Sequence, residues 1–151
     1  MPSQMQVGIA LTLMLVLPAA LAARDPQTAY VGTLGRAQYN WTLHCQGCHG
    51  ADALGTSGRV PRLAGTVARF LKIKEGRAYL GRVPGVAFVE LSDTEVAELL
   101  NWVVQRFDGA HVPKTFTPYS EEEMAALRRE PLISSAYIER QRLLRSLSQG
   151  R

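Results

Sequence analysis

The chain has 151 residues, of which 46% are apolar and 20% are charged, and its formal net charge at pH 7 is +4. This length is enough for one domain with a sizeable core and a short additional segment. The ordinary apolar content and the moderate charge exclude an intrinsically disordered chain and a protein with several membrane spans.

The N-terminal residues have the pattern of an export signal. Residues 7–17 form an apolar run without charge, and the Ala-Leu-Ala stretch at 20–22 matches the small-x-small pattern that a signal peptidase recognises. No Lys or Arg precedes the run, which departs from the usual pattern. A retained membrane anchor is the alternative, but the run is shorter than the about 20 residues that span a bilayer. The sequence therefore predicts a signal peptide over residues 1–23 and a mature protein in the periplasm.

Positive charge is concentrated in one stretch of the chain. Glu75 is the only acidic residue there, and the basic residues are Arg59, Arg62, Arg69, Lys72, Lys74, Arg77 and Arg82. Such a stretch predicts a surface that steers an acidic partner, and a solvated face without a partner is the alternative. Nucleic acid is not expected as a partner, because an exported protein rarely meets it and the chain has no recognition motif.

The chain has two cysteines, Cys45 and Cys48, which lie three positions apart. A disulfide between them would close a loop too small to stabilise the fold much. A thioredoxin-like redox pair would need a strand before the motif and a helix opening after it, and the sequence predicts neither.

The string Cys45-Gln46-Gly47-Cys48-His49 has the Cys-x-x-Cys-His pattern by which c-type haem is attached. On a short helical turn, residues three apart lie on one face, so both thiols reach vinyl groups on one edge of the same porphyrin. The adjacent His49 projects beneath the ring and reaches the iron. The motif therefore predicts one covalently bound haem c, held by Cys45 and Cys48 and ligated by His49.

With this motif in place, the sequence from about Ala37 to Phe107 resembles the class I monohaem cytochromes c of bacterial periplasms. In that family an aromatic residue lies four positions before the first cysteine, as Trp41 does here. A small residue precedes it by four more; the family favours Gly, and this chain has Ala37. The resemblance implies an all-α, cytochrome c-like domain whose N-terminal helix packs this aromatic side chain against a C-terminal helix.

The matching C-terminal helix is predicted from its own pattern. Ser92-Asp93-Thr94-Glu95 reads as a capping box, with Ser92 at the N-cap and Glu95 bonding back to it. The apolar residues that follow at helical spacing are Val96, Leu99, Leu100, Val103 and Phe107. These residues are expected to form the core around the haem.

The segment Pro61-Arg62-Leu63-Ala64-Gly65 resembles the Pro-x-Leu-x-Gly segment of the same family. The resemblance implies that the Pro61 carbonyl accepts the Nδ1 proton of His49, which orients the imidazole and raises its basicity. It also implies that Leu63 packs beside the ring. An ordinary loop proline is the alternative.

The sixth iron ligand is where the chain departs from the family. A typical member supplies a methionine from the loop before the C-terminal helix. That loop, about 74–91 here, has no Met or His and reads Val83-Pro84-Gly85-Val86 at the expected place. This matters because the distal ligand sets the redox potential and controls the access of small molecules to iron.

Four interpretations of the sixth position stay open. Met124 supplies the ligand from the C-terminal part of the chain, although its place in a predicted helix also suits packing in the core. His111 supplies it from just beyond the C-terminal helix, although a lone loop histidine is more often exposed. The position is open, with Val83 or Val86 covering the distal face. The remaining candidate ligands are Lys72, Lys74 and Tyr79.

Beyond the haem domain, predicted to span 24–110, residues 111–151 form a predicted helical extension. Ser120 is an expected N-cap for a helix over about 121–130, and a second, amphipathic helix is predicted over about 132–148. The extension is expected to wrap the haem domain. Docking to a partner dehydrogenase or to an anionic membrane surface is the alternative.

These features predict a single-electron carrier between a periplasmic dehydrogenase and a respiratory acceptor with an acidic face. The alternative is a haem enzyme or gas-binding sensor with an open distal iron site. The absence of a methionine from the loop supports this alternative. The absence of a histidine that could act as a general base toward peroxide argues against it. The expected activity is therefore electron transfer rather than catalysis.

Overall fold

The computed structural model describes residues 26–149, with side chains from residue 32 onward. The predicted signal peptide at 1–23 lies outside this range. The described chain is helical, with one isolated β-bridge between Thr56 and Val60, which confirms the all-α class. No helix in this part of the chain combines the length and the apolar character that crossing a membrane requires.

The helices are named here in chain order. The α-helices are α1 (Pro26–His44), α2 (Gln46–His49), α3 (Lys74–Arg82), α4 (Pro84–Ala87), α5 (Asp93–Asp108), α6 (Glu121–Arg128) and α7 (Ala136–Gln149). Two 3₁₀ helices cover Val67–Lys72 and Gly109–His111.

The crossing of α1 and α5 is built on aromatic side chains. Trp41 of α1 packs on Phe107 of α5, with ring centroids 4.6 Å apart, and Trp102 lies 6.2 Å from Trp41. Ala37, one turn before Trp41, is 1% exposed, and its small side chain lets the helices approach closely. The implied packing of Trp41 against the C-terminal helix is confirmed.

Helix α5 begins where the sequence predicts. The Ser92 hydroxyl accepts the Glu95 backbone N–H at 3.3 Å, and the Glu95 carboxylate accepts the Ser92 N–H at 3.0 Å. This reciprocal pair satisfies backbone donors that a helix start leaves without partners. The helix then buries the predicted apolar residues Val96, Leu99, Leu100 and Val103.

A buried acid at the end of α5 ties three segments together. Asp108, 4% exposed, accepts the Ala68 backbone N–H at 2.8 Å and lies 2.5 Å from Nδ1 of His111. These bonds join the end of α5 to both 3₁₀ helices. The apolar periodicity of α5 gives no sign of this role, so it was not predicted.

The segment 74–91, expected to be a loop, contains α3 and α4. Helix α3 ends at Arg82 because Pro84 disfavours a helical backbone at the residue before it, and Val83 is extended with φ −62° and ψ 144°. Pro84 then begins α4 at a position where its missing N–H costs nothing. The expectation of a loop was wrong because these short helices are held by their neighbours rather than by a long apolar repeat.

Helix α6 begins after Ser120, as predicted, but its capping box is incomplete. The Ser120 hydroxyl accepts the Glu123 N–H at 3.3 Å. The Glu123 carboxylate bonds Arg77 of α3 instead of returning to Ser120, with N···O distances of 2.7 and 2.6 Å. This ion pair fastens α6 to α3, in agreement with the predicted wrap.

The second helix of the extension, α7, begins at Ala136 rather than at the predicted position 132. The Leu132 N–H donates to the carbonyl of Arg82 at 2.8 Å, so this residue bridges to α3 instead of starting a helix. Leu143 of α7 is fully buried in the main core. The last helix therefore shares one core with the preceding helices, while the boundaries of a haem domain at 24–110 and an extension at 111–151 stay predictions.

The contact between α3 and the 3₁₀ helix Val67–Lys72 requires glycine at position 76. A Cβ on Gly76 would lie 2.3 Å from the backbone oxygen of Phe70. We expect Gly76→Ala to lower the free energy of unfolding by roughly 1–3 kcal/mol, since the two helices must separate. Urea titration of the purified protein measures this.

Gly35→Ala in α1 is the matched control, since a Cβ there meets nothing within 4 Å. Its expected stability is equal or higher by about 0.5–1 kcal/mol, the helix-propensity difference between Ala and Gly. Equal stability of the two variants would contradict the close approach at Gly76.

Candidate haem-binding site

The cysteine motif lies on the tight turn that joins α1 to α2. The carbonyl of Cys45 accepts the backbone N–H of Cys48 at 3.2 Å and of His49 at 2.9 Å. This helical turn brings the two cysteines to one side of the chain, with His49 directly after them. The two thiols form no disulfide with each other.

Burial raises the pKa of the Cys45 thiol to about 11, with a smaller contribution from neighbouring Cys48. The thiol is therefore protonated at neutral pH. Because the thiolate is the nucleophile in disulfide exchange, this environment disfavours a redox-active pair. The residues before the motif also form α1 rather than the strand that a thioredoxin-like pair needs, so the structure favours the haem interpretation of the motif.

The imidazole of His49 is held by a backbone carbonyl. Its Nδ1 lies 3.1 Å from the oxygen of Pro61, so Nδ1 donates and Nε2 is left to bind a metal. Burial lowers the pKa of His49, and the bond to Pro61 opposes that shift. The neutral imidazole, which is the metal-binding form, is thereby favoured.

A glycine lets Pro61 reach this position. Gly55 has a φ of +66°, and a Cβ on it would lie 2.3 Å from the oxygen of Val60 and 2.7 Å from that of Pro61. The Gly55 N–H also donates to the carbonyl of His49 at 2.8 Å. The loop after α2 therefore folds back on His49, and its carbonyls pack in the space that a side chain at position 55 would fill.

These residues border a cavity of about 400 Å³. Its size and its mostly apolar walls suit a cofactor site. All five residues predicted to bind or position the haem lie on its wall, namely Cys45, Cys48, His49, Pro61 and Leu63. A macrocycle that needs two thiols, one imidazole and apolar walls fits this set of residues.

The far part of the wall comes from α3, α4 and α5. Tyr79, Leu80 and Val83 lie at helical spacing on α3 and its end, and Val86 follows on α4. The sequence interpretation that placed Val83 or Val86 over the haem agrees with their position on the wall.

The extension also contributes to the cavity, which the sequence analysis did not predict. Ala136, Tyr137 and Arg140 of α7 lie on its wall, and the Arg140 guanidinium is 5.8 Å from the ring centroid of Phe70. Their spacing puts them on one face of a helix, which is the signal that was available. With Arg59 and Arg62, Arg140 supplies positive charge suited to carboxylate groups such as haem propionates.

Met124 is not among the residues that border the cavity. It is fully buried in a cluster with Val96, Leu100 and Tyr119. Val96 and Leu100 themselves border the cavity, so Met124 lies one layer of side chains behind its wall. Its role as sixth ligand stays a prediction, and this placement favours the alternative of core packing.

His111 lies away from the cavity as well. Its Nδ1 contacts Asp108, and its Nε2 lies 3.2 Å from an Arg69 guanidinium nitrogen, so both ring nitrogens have protein partners. Lys72 and Lys74 are exposed and do not border the cavity. Among the candidate sixth ligands, Tyr79 does lie on its wall.

The basic stretch at 59–82 does not form one surface. Arg77 pairs with Glu123, and Arg82 donates to the Glu130 carbonyl at 2.6 Å. Arg69 donates to the Gly65 carbonyl at 3.0 Å. The stretch therefore has two parts: internal cations that hold the fold, and the exposed residues Arg59, Arg62, Lys72 and Lys74.

Comparison with known proteins gave two curated relatives. Cytochrome c-552 of Thermus thermophilus is 34% identical over 106 residues, covering 58% of this chain and 81% of the relative. A second cytochrome c-552 from Thermus thermophilus is also 34% identical over 106 residues, covering 72% of that relative. No protein-family model matches the chain.

The packing at Gly55 generates a prediction about His49. We expect Gly55→Ala to displace the Pro61 carbonyl and to weaken its bond to His49, which lowers imidazole basicity and raises the haem midpoint potential. We also expect the free energy of unfolding to fall. The fall should exceed by roughly 1–3 kcal/mol the strain of placing an alanine at a positive φ, because the Cβ also collides with two carbonyls. Redox titration and urea unfolding measure both.

Gly58→Ala is the matched control. Gly58 has a φ of +73°, and a Cβ there meets nothing within 4 Å, so this variant carries the backbone strain alone. Identical potentials and stabilities in the two variants would show that Gly55 does not set the position of Pro61.

Proposed function

Since the chain belongs to the class I monohaem c-type cytochrome family, we propose that it carries single electrons in the periplasm from a dehydrogenase to a respiratory acceptor. As a member of this family it carries covalently attached haem c and transfers electrons rather than acting as an enzyme. One observation carries the assignment of residues. The Cys45–His49 turn borders an apolar cavity with the His49 imidazole already bonded to Pro61.

In this proposal each predicted residue has a separate task. Cys45 and Cys48 form the thioether bonds, and His49 binds iron through Nε2. Pro61 fixes the imidazole tautomer, and Leu63 packs beside the ring. Bound haem supplies the one-electron redox couple. The surrounding apolar side chains exclude water, which keeps the site at low dielectric.

The exposed cations suggest how a partner approaches. Arg59 and Arg62 are exposed and border the cavity, so positive charge lies beside the proposed haem. Such a field raises the encounter rate with an acidic surface and is screened by salt. We propose that an acceptor with an acidic face docks here, with a periplasmic dehydrogenase as the electron donor.

The remaining proposals concern the arrangement of the chain. Residues 1–23 direct export and are removed, 24–110 form the haem domain, and 111–151 form the helical extension. The apolar run at 7–17 and the Ala-Leu-Ala stretch at 20–22 support cleavage. Contact of the extension with a membrane surface would involve the exposed Ile133, Tyr137 and Ile138.

The attachment residues are tested by substitution in a host that assembles c-type cytochromes. We expect Cys45→Ala or Cys48→Ala to lower the fraction of haem retained in acidified organic solvent, because one covalent bond is lost. His49→Ala keeps its haem but has an altered absorption spectrum. Haem staining of a denaturing gel and absorption spectroscopy measure the two effects.

His111→Ala is the control, because both nitrogens of His111 contact protein groups away from the cavity. Its spectrum and haem content should match those of the unmodified protein. A native spectrum for His49→Ala would exclude His49 as the iron ligand.

The steering role is tested without a natural partner, using an anionic oxidant. We expect Arg59→Glu to slow oxidation of the reduced protein by hexacyanoferrate(III) several-fold at low ionic strength, with convergence on the unmodified rate at high salt. Stopped-flow absorption measures the rate.

Lys114→Glu makes the same change in net charge at an exposed residue that does not border the cavity. A smaller effect is expected there. Equal effects for Lys114→Glu and Arg59→Glu would assign the change to net charge and would contradict local steering beside the haem.

A further inference from the structure

The cavity wall offers few atoms that bind iron. No methionine among residues 26–149 borders it. The wall along α3 and α4, with the residue between them, is formed by Tyr79, Leu80, Val83, Pro84, Gly85 and Val86. None of these residues has a sulfur or an imidazole. Besides His49, the imidazole on the wall belongs to His44, an exposed residue at the end of α1. The proposed haem therefore faces hydrocarbon and one phenol along α3 and α4.

Tyr79 is the polar group on this part of the wall. It is 7% exposed, and its ring stacks on Phe70 with centroids 5.3 Å apart and planes at 22°. No described residue forms a hydrogen bond with its hydroxyl, which is accessible rather than buried. An accessible donor on a mostly apolar wall is placed to bond a molecule held in the cavity.

Tyr119, which is also buried, shows the contrast. Tyr119 is 4% exposed, and its hydroxyl donates to the Arg77 carbonyl at 2.9 Å. It does not border the cavity. The same side chain in the same protein is thus satisfied by the fold at 119, whereas at 79 it is left available to the cavity.

The chemistry of the wall selects the class of ligand. Burial raises the pKa of Tyr79, with a smaller opposing effect from Arg140, so the group is a neutral donor and not a phenolate that binds iron. Leu80, Val83 and Val86 offer no compensation for a desolvated anion. Arg140, the cation that acts on Tyr79, is one of those suited to a haem propionate. The ligand that suits this wall is a small neutral molecule. Its terminal atom accepts a hydrogen bond from the Tyr79 hydroxyl, and its remainder contacts hydrocarbon.

We propose that the sixth iron position of this cytochrome is open to a neutral diatomic gas, and that Tyr79 positions the gas by donating a hydrogen bond to it. This inference rests on the proposed haem attachment at Cys45, Cys48 and His49. It adds a ligand-binding site to an electron carrier. Met124 takes no part, since it lies behind the wall.

Carbon monoxide is the probe, used on the dithionite-reduced, haem-loaded full chain. We expect one molecule to bind per haem, with a shift of the Soret band at submillimolar concentration. Tyr79→Phe keeps the stacked ring and removes the donor. This variant should release carbon monoxide roughly fivefold faster, as expected for one lost hydrogen bond. It should also raise the C–O stretching frequency in the infrared.

Two control variants make the result specific. Tyr119→Phe removes a hydroxyl that the protein already satisfies, and it should leave the release rate and the stretching frequency unchanged. Met124→Leu should leave the spectra of both oxidation states unchanged. A changed spectrum in Met124→Leu, with faster binding of carbon monoxide, would show that Met124 occupies the sixth position and would overturn the inference.

The outcomes separate the inference from the proposed function. Attached haem that does not bind carbon monoxide at saturation overturns the open site and leaves the electron carrier standing. Binding that is identical in Tyr79→Phe and the unmodified protein overturns the role of Tyr79. A chain that stains for no haem on a denaturing gel contradicts the attachment and the inference together.

Discussion

The hydrogen bond between His49 Nδ1 and the Pro61 carbonyl is the constraint on which the rest of the site depends. It fixes the imidazole relative to a loop that is itself pinned at Gly55, where any side chain would collide with the carbonyls of Val60 and Pro61. The motif fixes the backbone position of His49 directly after Cys48 but does not fix the rotation of its ring. The bond from the loop fixes that rotation without a bound metal.

The extension is part of the same structure and not an appendage. Glu123 binds Arg77, Leu132 binds the Arg82 carbonyl, and Leu143 enters the main core. Arg128 of α6 adds bonds to the carbonyls of Val89 and Leu91, at 2.7 and 2.9 Å. These contacts fix α3, α4 and the turn before α5. The helices that form the far wall of the cavity are therefore held from outside by the extension.

Predictions from the sequence were successful where the signal is local. The Cys45–His49 motif, the capping box at Ser92 and the apolar spacing of α5 each lie within a few turns of one helix, and the structure has these helical features where expected. They depend on backbone geometry that neighbouring residues decide. The all-α fold class was implied by the family resemblance that the Cys45–His49 motif introduces, and the helical structure confirms it.

The sequence analysis missed features that depend on contacts between distant segments. Asp108 joins separate segments by accepting a hydrogen bond from the backbone N–H of Ala68, which lies 40 positions away in the chain. The predicted start of α7 was wrong because the Leu132 N–H bonds the Arg82 carbonyl, a partner that no local pattern identifies. Arg140 reaches the cavity only through the wrap of the extension. Apolar periodicity predicts that a face is buried, but not which segment covers it.

The place of α7 on the cavity wall has a consequence for how the protein matures. Ala136 and Arg140 come from the last helix of the described chain, while the cysteines lie near its start. The wall of the proposed haem cavity is therefore complete only when the C-terminal helix docks. Until then the cavity is open on that side, so in the proposed assignment haem reaches the two thiols most easily before α7 packs.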